Sequence, residues 1–150
     1  MPQASITQIF NVDRDTIFDV ITNFEEIPLF EPAVTKIKVI EKKGQKAKVL
    51  FYMKIMIHFK FSVYVDFSQE DYIHWELEEG KLFKKNSGHW KLKTLGPQKT
   101  EVTYSNEVEI NGMAPKFLIK KLIGQRLPEM MENYKKQCKQ RSQNNILSVS

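Results

Sequence analysis

The stretch Ala114–Arg141, APKFLIKKLIGQRLPEMMENYKKQCKQR, decides the fold of this chain. Its apolar residues fall at Leu118, Ile119, Leu122, Ile123, Leu127, Met130, Met131, Tyr134 and Cys138, steps of three and four that draw one stripe along a helix. Lys120, Lys121, Lys135, Lys136 and Lys139 fill much of the remaining surface. Everything between Lys36 and Ile110 reads as strand, and a sheet of that size needs an element to cover its apolar face. This is the only long helix available. Pro128 lies inside the pattern, and in a continuous helix its ring would meet the carbonyl of Gly124. The spacing therefore predicts a bend near Gly124 to Pro128; the alternative is two helices, with Pro128 opening the second.

Working upstream, Thr100 to Ile110 places Val102, Tyr104, Asn106, Val108 and Ile110 on one strand face. Gly96-Pro97-Gln98 turns the chain from the strand Phe83 to Leu95, whose inner face carries Gly88, Trp90 and Leu92. Glu79-Gly80-Lys81 turns it from Tyr72 to Glu78, with Ile73, Trp75 and Leu77 aligned. Gly44-Gln45 makes a hairpin between Val34–Lys43 and Lys46–Ile57. From Ala47 to Phe67 there is no glycine or proline, yet a single strand of that length would reach ~70 Å at about 3.3 Å per residue. A reversal is expected near Ile55 to His58. Before it the apolar face is Val49, Phe51, Met53 and Ile55; after it, Phe59, Phe61, Val63, Val65 and Phe67. The tip would carry Ile55, Met56 and Ile57, either as an exposed contact knob or tucked under the core.

At the other end, Ser5 to Phe10 reads as a first strand, and Asp13 as the N-cap of a helix that ends near Asn23. Pro28 and Pro32 bar regular structure from Asn23 to Pro32, but Phe24, Ile27, Leu29 and Phe30 are too apolar for an idle loop. A short helical turn with its greasy side inward is expected. Seven strands joined mostly by short turns make an α+β fold: a curved antiparallel sheet gripping a C-terminal helix. Residues 1–141 form one domain, and the polar residues 142–150 are expected to be a frayed or disordered tail.

Composition is that of a soluble globule, 41% hydrophobic and 27% charged, without a membrane span or signal core; a cytoplasmic protein is expected. The net charge of +5 is compatible with weak contact to ribosomes or an anionic membrane surface. The lysines are scattered rather than clustered, and no specific DNA binding is expected. Cys138, the single cysteine, sits on the helix stripe as a buried hydrophobe.

Strand parity directs His58, His74 and His89 away from the interior, so neither a three-histidine metal site nor any other cofactor is expected. No nucleophile elbow, phosphate loop or dinucleotide fingerprint is present. Glu25, Glu26 and Glu31 read as surface carboxylates, with a cavity mouth as the alternative. The inner face is unusual for a core. Phe61, Trp75, Trp90 and Tyr104 are large, and Asn106 shares the face of Val102, Tyr104 and Val108. An apolar chamber with a few polar groups and a plain packed core both fit that pattern.

The order of elements, with Val12-Asp13 to Phe18, Asn23 to Pro32 and Gly88-His89-Trp90-Lys91-Leu92, resembles the START-related helix-grip superfamily (SRPBCC). Within it, the polyketide-cyclase and coenzyme Q-binding branch is most similar. The branch pattern acid-x-acid-x-aromatic-Pro-x-aromatic-x-Pro meets departures here at Asn23 and Ile27. The resemblance spans roughly Ala4 to Gln140 and implies a cavity between sheet and helix that holds a lipid, quinone, sterol or polyketide-like ligand. It supplies no catalytic residue. With it, Phe30, Met53, Phe61, Trp75, Trp90, Tyr104, Asn106, Met130 and Tyr134 are the expected chamber lining. A non-enzymatic carrier of a hydrophobic small molecule leads; a polyketide cyclase or dehydratase and a ribosome- or protein-associated regulator are the alternatives.

Overall fold

The computed structural model describes residues 3–112, 116–121 and 126–149. Its strands are β1 (Gln3–Phe10), β2 (Val34–Lys43), β3 (Lys46–Ile55), β4 (Ile57–Gln69), β5 (Tyr72–Glu79), β6 (Phe83–Gly96) and β7 (Lys99–Ile110). They form one antiparallel sheet in the order β1-β7-β6-β5-β4-β3-β2. Strands β2 to β7 are a simple meander, and β1 returns to pair along β7, from Gln3 opposite Glu107 to Phe10 opposite Thr100. The expected α+β sheet and C-terminal helix are thus the observed architecture.

Alternation decides which face is covered. Val49, Val63, Val65, Phe67, Ile73, Trp90, Leu92 and Val102 are all buried, while their chain neighbours point outward. The reversal predicted between Ile55 and His58 is present: Ile55 pairs with Ile57, and Met56 between them takes φ 65°. A left-handed methionine explains why no ordinary turn residue marked this point. The tip is neither wholly a knob nor wholly covered. Ile55 is buried, whereas Met56 and Ile57 are exposed.

Helix α1 (Arg14–Thr22) begins at Asp13, whose carboxylate accepts from the Thr16 backbone N–H at 3.1 Å and the Thr16 hydroxyl at 2.7 Å. A 3₁₀ turn, Phe24–Leu29, follows. Three residues per turn bring Phe24 and Ile27 onto one inward side, which corrects the reading of Leu29: it faces solvent, 83% exposed.

Helices α2 (Lys116–Lys120) and α3 (Arg126–Val149) close the chain. Pro128 stands in the first turn of α3 as described. Residues 122–125, on which the choice between a bend and two helices depends, lie outside the described residues, as do the side chains of Leu118 and Ile119. Met131, Tyr134 and Cys138 are buried against Trp90, Leu92 and Val102, so the stripe on α3 covers the sheet as its spacing requires. The helix also runs past Arg141, where its pattern was expected to end. Ser142 is buried, with its hydroxyl 3.4 Å from Gln98 Oε1, and helical backbone continues to Val149. Among the described residues no helix is long and apolar enough to cross a membrane.

Candidate functional site

Between the inner face of the sheet and α3 lies a cavity of about 200 Å³. Phe51, Phe59, Phe61 and Phe83 form one part of its wall: the Phe51 and Phe61 rings stack at 5.3 Å, and Phe83 meets Phe61 edge-on at 5.2 Å. Trp90 forms another part, with Tyr104 edge-on at 4.8 Å from the sheet and Tyr134 at 4.9 Å from α3. Strand parity places the sheet members, since residues two apart share a face. The helix contributes Arg126, Leu127, Met130 and Tyr134 along its own stripe.

Two polar clusters interrupt this apolar surface. The first is carried by strands. Trp75 Nε1 donates to Asn86 Oδ1 at 3.3 Å, and Asn106 Nδ2 donates to the Tyr104 hydroxyl at 2.9 Å and to Asn86 Oδ1 at 3.5 Å. Gly88, opposite Trp75 in the β5–β6 register, is what permits it. A Cβ there would stand 2.6 Å from the indole and 2.3 Å from the Ser105 carbonyl oxygen, so only glycine lets the ring lie against the strand and reach Asn86.

The second cluster joins the proline-rich segment to α3. Glu31 is 2% exposed; its carboxylate is paired with the Arg126 guanidinium and accepts from Asn133 Nδ2 at 3.1 Å and from the Ala33 backbone N–H at 3.2 Å. Arg126 also pairs with Glu129. Glu31 and Arg126 both border the cavity. The sequence reading of Glu31 as a surface carboxylate is therefore corrected: a guanidinium, an amide and a backbone donor compensate its burial.

The buried hydroxyls stay neutral. Burial pushes Tyr104 up to about 12, against a smaller opposing effect of the Asn106 hydrogen bond. Burial also raises Tyr134 well above the usual tyrosine value, with the nearby Glu31 carboxylate adding to it. Cys138 is pushed up to about 12, chiefly by burial, which suits a packed thiol rather than a nucleophile.

Of the nine residues expected to line a chamber, Met53, Phe61, Trp75, Trp90, Tyr104, Asn106, Met130 and Tyr134 border the cavity. Phe30 does not. Its ring packs edge-on against Tyr134 at 5.0 Å, one layer back from the space. Asn86, Glu31 and Arg126 were not among the nine. Asn86 shares the parity of Gly88 and Trp90 and was legible on that ground, whereas Glu31 lies in a segment without a repeat. His74 and His89 face each other across β5 and β6 on the outer side of the sheet, flanked by the Tyr72 ring at 5.2 Å from each.

Residues 10–135 match the family model described as polyketide cyclase / dehydrase and lipid transport. The chain belongs to this family. Solved structures that resemble this polyketide cyclase / dehydrase and lipid transport family member include a START superfamily protein from Mycobacterium smegmatis, 22% identical with a TM-score of 0.83 over 92% of this chain and 97% of that one. The Zhui aromatase/cyclase from Streptomyces sp. R1128 is 16% identical, with a TM-score of 0.69 over 99% and 92%. A major latex-like protein from Panax ginseng is 15% identical, with a TM-score of 0.70 over 91% and 96%. At these identities the likeness is one of fold. No curated protein is similar enough in sequence to count as a match.

Proposed function

We propose that this family member binds or carries a hydrophobic small molecule in the chamber between the sheet and α3. The observation that carries the reading is the cavity itself, about 200 Å³ and walled mainly by aromatic and aliphatic side chains. A dry cavity of ~150 Å³ in an otherwise packed core is enough to take up benzene. This one therefore has room for at least a ring-sized group. Apolar burial supplies the affinity, and the Trp75–Asn86–Asn106–Tyr104 cluster supplies orientation.

Polyketide cyclase or dehydratase chemistry ranks second, because the family description includes it. Such chemistry needs an acid or base facing the substrate. Glu31 is the carboxylate on the cavity wall, but Arg126, Asn133 and the Ala33 N–H already engage it. Tyr104, held near 12, acts as a hydrogen-bond donor at neutral pH and not as a base. Contact of the +5 chain with ribosomes or anionic membranes is a weaker reading, and would have to fade steeply with added salt.

Native mass spectrometry on protein purified without detergent, followed by organic extraction, tests the leading proposal. A lipophilic compound retained at a fixed ratio is expected. Protein that stays empty after incubation with a panel of lipids, quinones and aromatic ketones would overturn it.

A further inference from the structure

The turn between β3 and β4 carries a residue that its backbone does not favour. Met56 holds φ at 65°, a left-handed conformation that glycine or asparagine adopts at less cost. Packing does not offset that strain: Met56 is 56% exposed, and Ile57 beside it is 45% exposed. Strain held at an exposed apolar residue points to a contact made outside the chain. The charges around the tip are one-sided. On the outer face of the sheet, Lys36 Nζ, Lys38 Nζ and Lys60 Nζ stand 5.8, 6.0 and 6.0 Å from the centroid of the Tyr52 ring. Strand register brings them there, Lys36 and Lys60 lying opposite Tyr52 on its two sides. None of the three is in an ion pair among the described residues. Glu41 and Glu78 pair with Lys43 and Lys48 instead. Lys54 and His58, opposite each other and exposed, continue the basic surface up to Met56. Glu79, opposite Ser62, is an acidic neighbour and leaves the group net positive.

We propose that the β3–β4 tip and the lysines around Tyr52 dock on an anionic lipid surface. Met56 and Ile57 enter the interface, and the ammonium groups meet the headgroups. The inference gives a place on the molecule to the membrane contact weighed above, and it holds whatever occupies the chamber. A bilayer interface suits both halves of this surface: the apolar tip leaves water, while lysine and tyrosine stay at headgroup depth. Nucleic acid would engage the lysines but leave Met56 and Ile57 in water. A second copy docked tip to tip would set like charges against each other. The placement also serves a carrier. Ile55 and Phe59, on either side of the tip, border the cavity, so the docked molecule holds that end of its chamber near the bilayer.

Co-sedimentation with phosphatidylcholine vesicles, with and without phosphatidylserine, is measured for the wild-type chain and two variants. Lys36→Ala/Lys38→Ala/Lys60→Ala removes the charges, and Met56→Gly removes the apolar tip while easing the left-handed turn. The wild type is expected to bind the phosphatidylserine vesicles and to be released by salt. The triple variant should bind about a hundredfold more weakly, at roughly fivefold per lysine near an anionic surface. Met56→Gly should bind about tenfold more weakly. Its thermal midpoint should nonetheless stay level or rise, a combination that a merely structural turn would not give. Wild-type protein that ignores both kinds of vesicle overturns the proposal together with the membrane contact, and leaves the chamber reading standing. Binding to phosphatidylserine that neither variant weakens overturns this surface alone. Equal binding to the two kinds of vesicle overturns the role of the lysines. RNA binding or self-association that replaces vesicle binding and is lost in either variant assigns the surface to another partner and overturns the proposal too. Should the triple variant not fold, Met56→Gly and the salt dependence decide.

Discussion

The sheet wall of the chamber repeats every second residue, whereas the wall made by the proline-rich segment and α3 follows no single period. On the sheet, Trp75, Asn86, Trp90, Tyr104 and Asn106 arrive at the cavity because pleating sends alternate side chains the same way. On the other side, Glu31 reaches it from the irregular chain after the 3₁₀ turn, and Arg126 from the start of α3. The first wall is held by cross-strand packing and the second by one buried ion pair. The difference teaches that a regular element can carry polar groups into a core through backbone geometry alone. An irregular one needs a charge to find its opposite.

Removing that charge should have the largest effect. Glu31→Ala leaves the Arg126 guanidinium largely buried with the exposed Glu129 as its remaining partner among the described residues, and is expected to cost about 3 kcal/mol in urea unfolding. A loss below about 0.5 kcal/mol, the scale of an exposed pair, would mean the second wall does not depend on the pair. The sheet wall is broken by Gly88→Ala. The new Cβ falls 2.3 Å from a backbone oxygen, so strand or indole must move, at a cost of about 2 kcal/mol and with a change in Trp75 fluorescence. Unaltered fluorescence would separate Gly88 from the Trp75–Asn86 bond.

Asp13→Ala tests how much the helical side owes to local capping, since α1 packs on α3. Loss of the two bonds to Thr16 should lower stability by about 1 kcal/mol. The last effect is one of pH. Cys138 and Tyr104 both have folded-state values near 12, above their ordinary values of 9.0 and 10.0. Their raised values favour the folded state fully below pH 9, and that advantage is lost as pH climbs towards 12, because the unfolded chain releases its protons first. Unfolding midpoints should therefore fall between pH 8 and pH 11, and fall less in Cys138→Val. An equal fall in both proteins would remove Cys138 from the account.

The same contrast explains what could be read from the sequence. Alternation placed seven strands, both ends of the long unpunctuated β3–β4 stretch, and six sheet residues that border the cavity, Met53, Phe61, Trp75, Trp90, Tyr104 and Asn106. Asn86 carried the same parity signal and was passed over among its polar neighbours Lys84, Lys85 and Ser87. Leu29 was misplaced because a 3₁₀ turn repeats every three residues, a period too brief here to show itself. Glu31 was illegible for a different reason. A carboxylate is buried only with a partner, and its partner Arg126 lies far along the chain. Nothing local marks such a pair.

An open seven-stranded sheet also has two rims, and they are not alike. Along β2 the outermost strand exposes Lys36, Lys38, Lys42 and Lys43 against the one acidic residue Glu41, a net positive edge that disfavours a further strand. The opposite rim, β1, runs Gln-Ala-Ser-Ile-Thr-Gln-Ile-Phe without a single charge. Strand addition, whether by a second molecule or in the first step of fibril growth, is guarded electrostatically on one side of the molecule and not on the other.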